Sequence, residues 1–214
     1  MLGKSITRNG LILGLFALAT AGLLAVIYAA TAERIAEQEK RAAEKALLQI
    51  VSRERHDNDM LTSVWPIPSS LFAKLALKSD ADIFIATQNG IPVATIIPTT
   101  AVDGYSGDIK LLIGINVDSS ISGIRVLSHK ETPGLGDKVS LNKSNWLLSF
   151  NGKSLIQPII DKWKVKKDGG DFDQFTGATI TPRAVVRQVK ETLTFFNTHK
   201  AEILSAYSQE KHND

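Results

Sequence analysis

From Leu11 to Thr31 the chain reads LILGLFALATAGLLAVIYAAT, and no charged residue occurs between Asn9 and Ala32. At ~1.5 Å per helical residue, about 20 such residues cross the ~30 Å hydrocarbon core of a bilayer. The pattern therefore predicts one membrane-spanning helix, with Tyr28 where an interfacial aromatic belongs. Thr31 to Val51 then mixes Ala, Glu, Lys and Leu, all strong helix formers, with an apolar stripe at Ile35, Ala42, Ala46 and Ile50. This predicts a helix continuing from the span, its charges forming a solvated face. Thr31 or Ala32 before Glu33 would suit a first turn. Arg53 to Asp59 is polar and reads as a loop, and Trp65-Pro66-Ile67-Pro68 cannot lie inside a regular helix.

After residue 80 the period shortens. Ala81 to Gln88 and Ile91 to Ile97 are β-branched segments joined by Asn89-Gly90, the favoured two-residue hairpin turn. Lys110 to Val117 and Ile121 to Ser128 are two further strands, separated by Asp118-Ser119-Ser120. Successive strands without intervening helices predict an antiparallel meander. Helical periodicity returns after Thr181-Pro182, read as an N-cap followed by Pro at the first helical position. Val185, Val186, Val189, Leu193 and Phe196 mark the buried face of an amphipathic helix that packs on the sheet. The tail from Ser208 to Asp214 is polar and expected to fray.

Composition narrows the chemistry. The net charge of +3 falls to +1 beyond Ala32, because Lys4 and Arg8 precede the apolar segment and leave 23 basic against 22 acidic residues. With no basic stripe interleaved with aromatics, nucleic-acid binding is not expected. The chain has no cysteine, which excludes disulfides, thiolate metal sites and cysteine nucleophiles. Its four histidines are scattered, so no metal site is expected. There is no P-loop, no Rossmann fingerprint and no G-x-S-x-G elbow. Lys4 and Arg8 favour a cytoplasmic N-terminus, with the larger part of the chain outside. A cleaved signal peptide ending at Ala30-Thr31-Ala32 is the rival reading, but the apolar run exceeds the usual ~7–15 residues.

Two motifs carry candidate chemistry. Asp173-Gln174-Phe175-Thr176-Gly177-Ala178-Thr179 is a small-residue turn running into a helix N-terminus, a place that exposes N–H groups and suits an anion. On its own it also reads as an ordinary capped loop. His129-Lys130-Glu131-Thr132-Pro133-Gly134-Leu135-Gly136-Asp137 reads on its own as a surface turn after a strand.

Together the motifs give more. D-x-x-[ST]-G-A-T resembles the attachment motif of the flavoprotein family that includes the G subunit of the Rnf/Rsx ion-translocating electron-transport complex and the C subunit of the sodium-pumping NADH:quinone reductase. The match is complete at Asp173, Thr176, Gly177, Ala178 and Thr179. The 129–137 loop, Asp103 to Gly107 and Lys166 to Phe172 occur in the order of the Rnf/Rsx G subunit, over nearly the whole chain. The resemblance implies one FMN joined through its phosphate to Thr179 by a separate flavin transferase. It also implies that His129, Glu131, Thr132, Pro133, Gly134, Leu135 and Gly136 lie beside the flavin ring, with backbone amides tuning its potential. His129 reads equally as a strand-end residue without a ligand role. Gly169-Gly170 would give the attachment loop freedom to reach the transferase.

The expected architecture is α+β: one N-terminal transmembrane helix plus an FMN-binding domain with a mainly antiparallel sheet flanked by helices. The expected boundaries are 1–32 for the cytoplasmic N-terminus and span, 33–80 for a membrane-proximal helix and connector, 81–207 for the flavin domain and 208–214 for the tail. The expected function is an electron-relay subunit working with the other Rnf/Rsx subunits at the bacterial inner membrane, its C-terminal domain periplasmic. The competing readings are an anchored binding or assembly domain without flavin, and a tethered hydrolase, for which no catalytic arrangement is visible.

Overall fold

The computed structural model describes residues 2–210, and the chain divides into two compact units, Met1–Ala43 and Glu44–Asp214. Helix α1 runs Leu2–Ile50. Within it Arg8–Ile35, 28 residues, is long and apolar enough to cross a membrane. Its Leu, Ile and Phe side chains are exposed, which is stable only in an apolar solvent. No helix end occurs at Thr31 or Ala32. The Thr31 hydroxyl donates to the Ile27 carbonyl at 2.8 Å, so it back-bonds inside the helix instead of capping a new one. The tail of the chain is helical as far as Glu210; residues 211–214 lie outside the described part.

The second unit is built on one antiparallel sheet in the order β1-β2-β3-β4-β5. The strands are β1 Val64–Pro66, β2 Asp82–Gln88, β3 Ile91–Gly104, β4 Gly107–Asn116 and β5 Ile121–Ser128, with a short helix, α2 Phe72–Leu75, between β1 and β2. Asn89 (φ 53°) and Gly90 (φ 76°) both take positive φ, as a type I′ hairpin turn demands. The unit begins at Glu44, and β1 pairs with β2 through Val64↔Phe84. Residues 44–80, part of the 33–80 stretch expected as a membrane-proximal helix and connector, contribute to this unit.

Period-2 alternation fills two cores. On β4, Ile109, Leu111, Ile113 and Ile115 face one side, and Leu112 the other. The first side is covered by α3, Ile180–Glu210, through Val185, Val186, Val189, Leu193 and Phe196. The second is covered by the end of α1 through Ala46, Leu47 and Ile50, together with Val51 and Met60. Each fully buried Val, Leu, Ile or Phe side chain contributes about 1.5–3 kcal/mol.

Helix α3 starts at Ile180, two residues before the expected Pro182. The Arg183 N–H donates to the Thr179 carbonyl at 3.2 Å, making Thr179 the N-cap. Pro182 still falls in the first turn, where a missing N–H costs nothing. Aromatic packing fixes the chain before this helix. Phe172 stacks on Phe150 with ring centres 4.5 Å apart, and Phe175 meets Trp146 edge-on at 5.1 Å.

Candidate functional site

Three segments converge at the N-terminus of α3: the β3–β4 hairpin tip, the loop after β5, and the turn that precedes the helix. Between them lies a cavity of about 290 Å³, at the lower end of the ~300–1,000 Å³ typical of ligand sites. Its walls include Tyr105, Glu131, Thr132, Leu135, Gly136 and the run 177–181.

Glu131 organises these walls. It is 4% exposed, and both carboxyl oxygens accept hydrogen bonds. Oε1 takes the Ser106 N–H of the hairpin tip at 2.9 Å. Oε2 takes the hydroxyl of Thr181, a fully buried residue of the first turn of α3. One side chain thereby ties the hairpin to the helix. Gly136 makes room for it: a Cβ there would lie 2.7 Å from Glu131 Oε2 and 2.8 Å from Thr181 Oγ1. His129 orients the same loop from behind. Its Nδ1 accepts the Glu131 N–H at 3.1 Å, which leaves Nε2 to donate to Ser140 Oγ at 3.0 Å in the neutral ring.

The loop's backbone differs from the expectation that its amides face a ligand. The Thr132 carbonyl accepts the N–H groups of Leu135 and Gly136, both at 3.1 Å. These donors are consumed within the turn. Among the described residues the Thr132 N–H has no partner, and Thr132 lies at the cavity wall. Leu135 is 41% exposed, an apolar side chain at the cavity edge.

The turn before α3 closes through an Ala178 N–H to Phe175 carbonyl bond of 3.1 Å. Gly177, with φ 79°, occupies the third turn position, where glycine carries no Cβ penalty. Thr179 is half-buried, and its hydroxyl has no hydrogen-bond partner among the described residues. The Ile180 and Thr181 N–H groups are likewise unpaired, as first-turn amides are. This is a hydroxyl and a set of free donors at the positive end of a helix 31 residues long, an arrangement that suits an anion.

Of the residues anticipated as a site, Glu131, Thr132, Leu135, Gly136, Gly177, Ala178 and Thr179 share the cavity. His129, Pro133, Gly134, Asp173 and Thr176 do not line it. Asp173 is exposed, its carboxylate 2.6 Å from Lys166 Nζ and its carbonyl bonded by Trp146 Nε1 at 2.8 Å. Thr176 is also exposed. Tyr105, Ile180 and Thr181 are additions that motif reading alone does not single out. Their signal is positional: Tyr105 sits in the Asp103 to Gly107 segment, and the other two directly follow Thr179. Gly169-Gly170 is not slack. Gly169 (φ 83°) ends a short 3-10 turn, and a Cβ at Gly170 would strike the Lys164 carbonyl oxygen. These glycines permit tight packing of the loop on its own backbone.

Beside the helix start, Arg183 makes a bidentate pair with Asp168, both bonds 2.6 Å. The guanidinium's hydrogen bonds hold the Asp168 carboxyl below its ordinary range. No group of three or more His, Cys, Asp or Glu side chains able to hold a metal occurs among the described residues.

The FMN-binding domain family matches residues 104–194, which span the hairpin tip, the loop after β5, the turn and half of α3. The RnfG N-terminal region matches residues 1–50. A Shewanella piezotolerans protein, named as the G subunit of an ion-translocating oxidoreductase complex, is 48% identical over 203 residues, 95% of each chain. The chain belongs to this G-subunit family. A Vibrio atlanticus member is 45% identical, covering 94% of this chain and 95% of its own. One from Pseudoalteromonas atlantica is 47% identical, covering 95% and 94%. The FMN-binding match and the cavity coincide, since every cavity-lining residue falls between 104 and 194.

Proposed function

We propose that the chain is the electron-relay subunit of a membrane-bound ion-translocating oxidoreductase, holding one FMN as a phosphoester of Thr179. Membership of the G-subunit family supports the oxidoreductase assignment and association with the other subunits of such a complex. The FMN-binding match supports the cofactor. The observation that carries the attachment is the state of Thr179: a reachable, unpartnered hydroxyl at the N-cap of α3, on the wall of the cavity.

When bound, the flavin supplies one- and two-electron chemistry, and the protein supplies binding and tuning. The free N–H groups of Ile180 and Thr181 and the α3 dipole stabilise the single charge of a phosphodiester by up to ~2 kcal/mol. Leu135 and Tyr105 offer apolar and aromatic surface to a flat ring, and the Thr132 amide offers a hydrogen bond. Glu131 holds these walls in register through Ser106 and Thr181, with His129, Pro133, Gly134 and Gly136 shaping its loop.

A threonine hydroxyl does not attack phosphate unaided. A flavin transferase reads Asp173, Thr176, Gly177 and Ala178, of which the first three are exposed. Attachment would join Thr179 Oγ1 to the FMN phosphorus as the pyrophosphate P–O bond of FAD breaks, with AMP as the leaving group and the hydroxyl proton passing to the transferase. The span anchors the chain as a single-pass protein. Lys4 and Arg8 keep its N-terminus cytoplasmic and put the flavin domain on the periplasmic side. Residues 1–32 carry the N-terminus and most of the span, 33–80 lead from the membrane into the sheet through β1, 81–207 hold the flavin site and 208–214 end the chain.

The test is in-gel flavin fluorescence after SDS denaturation, with the chain and its Thr179→Val variant each co-expressed with a flavin transferase. A fluorescent native band with a dark variant is expected. A dark native band removes the covalent link.

A further inference from the structure

Several apolar side chains of the second unit stand in solvent, and the flavin cavity accounts for only some of them. Tyr105, Leu135 and Ile180 line it. Ile156, Ile159 and Ile160 do not, yet they are 85%, 61% and 51% exposed. Three large apolar side chains exposed within one short segment, 156–160, are more than a soluble surface favours.

The segment bearing them is held firmly. Ser154 Oγ accepts the N–H groups of Ile156 and Gln157, both at 3.3 Å, and the Ser154 N–H donates to the Gln157 carbonyl at 2.9 Å. Trp163 Nε1 donates to the Ser154 carbonyl at 3.1 Å. Trp163 itself is 2% exposed, packed on Phe172 with ring centres 4.9 Å apart. The isoleucines are thus displayed from a loop anchored in the core.

Its flanks are basic. Residues 153–164 contain Lys153, Lys162 and Lys164 against one acid, Asp161, a net of three minus one, or +2. Among the described residues none of the three lysines forms a salt bridge with a carboxylate. Lys162 Nζ donates to the Gly169 carbonyl at 3.1 Å, and Lys153 Nζ lies 5.4 Å from the centre of the Phe172 ring.

We propose that this loop is a second membrane contact, with the isoleucines entering the interface and the lysines meeting the phosphates of anionic lipids. Exposed isoleucines flanked in sequence by lysines match a bilayer surface, which is apolar below and carries phosphates above. They match a protein partner less well, because protein interfaces are depleted in Lys. The contact rests on the reading of Arg8–Ile35 as a membrane anchor. That anchor keeps the loop at high effective concentration near lipid, so a weak contact suffices.

The chain has no cysteine, so Ile159→Cys gives one site for an environment-sensitive fluorophore. The full chain is placed in nanodiscs of phosphatidylcholine, with or without phosphatidylglycerol, carrying acyl chains brominated near the headgroup. Emission at 159 is expected to shift to the blue and to be quenched by the bromines. The effect grows with phosphatidylglycerol and weakens with salt. Ile91→Cys, at a hairpin residue 67% exposed, is expected to show neither. Co-elution of protein with discs reads the anchor separately, so loss of the anchor and loss of the loop contact are distinguishable. A 159 label that stays solvent-like in protein-loaded discs overturns the proposal. So does shielding that appears only when the other subunits are present, which would make the loop a protein-docking surface.

Discussion

Glu131→Ala should cost about 2–4 kcal/mol of stability, while Glu131→Gln should cost less than about 1 kcal/mol. The magnitude follows from the two bonds Glu131 accepts. Removing the side chain orphans the Thr181 hydroxyl, which is fully buried, and orphaned buried donors cost about 1–3 kcal/mol each. The Ser106 N–H loses its partner too, but Ser106 is exposed and water replaces much of that bond. A gap beside Gly136 adds a packing loss. Glutamine can give its oxygen to the Ser106 N–H and its amide to the Thr181 oxygen, because a hydroxyl rotates to accept. Urea unfolding of the full chain in detergent, followed by tryptophan emission, reads both variants. All three tryptophans, Trp65, Trp146 and Trp163, lie in the second unit. An alanine loss below about 1 kcal/mol would refute the clamp, since it is less than one orphaned buried donor. A glutamine as damaging as alanine would also refute it.

Gly136→Ala should destabilise by overpacking against Glu131 and Thr181, by about 1–3 kcal/mol; combining it with Glu131→Ala should give less than the sum, and additive losses would deny the contact. Asp168 has a depressed folded-state pKa, so the stability it contributes is present above the ordinary aspartate range and lost as pH falls through the folded value. Arg183→Gln should return its titration, read by carboxyl carbon NMR, towards that ordinary range; an unchanged titration would show that the pair is not the cause. Asp173→Asn should leave circular dichroism unchanged, since the side chain is exposed and, among the described residues, paired to Lys166 alone, but should lower the yield of flavin attachment. Full flavin loading would mean that the transferase does not read Asp173.

Much of this fold is legible in the chain. The span is a property of about twenty uncharged residues in succession. β2 and β5 lie within one residue of the segments marked by β-branched runs, and β4 starts earlier than its apolar run, at Gly107, because the hairpin tip extends the pairing. The misses have local causes. β1 is three residues long and ends at Pro66, which suits an edge strand but gives no periodicity to detect. β3 runs on to Gly104, beyond the expected end at Ile97, because Pro98 interrupts the pattern, yet it pairs with Leu112. The start of α3 is misread because Thr181 looks like a cap; its hydroxyl instead turns inward to Glu131, a partner 50 residues away that no local rule can supply. The same holds for the candidate site. The motifs point to Thr179 and to the loop after β5, but the clamp between hairpin, loop and helix exists only in three dimensions.

Peptide mass spectrometry of the chain matured beside a flavin transferase reads the Thr179 phosphoester directly. Trypsin should release residues 168–183, which contain Thr176, Thr179 and Thr181. This peptide is expected to carry the mass of one FMN less one water, with fragmentation assigning it to Thr179. An unmodified peptide, or a flavin on Thr176 or Thr181, would contradict attachment at Thr179.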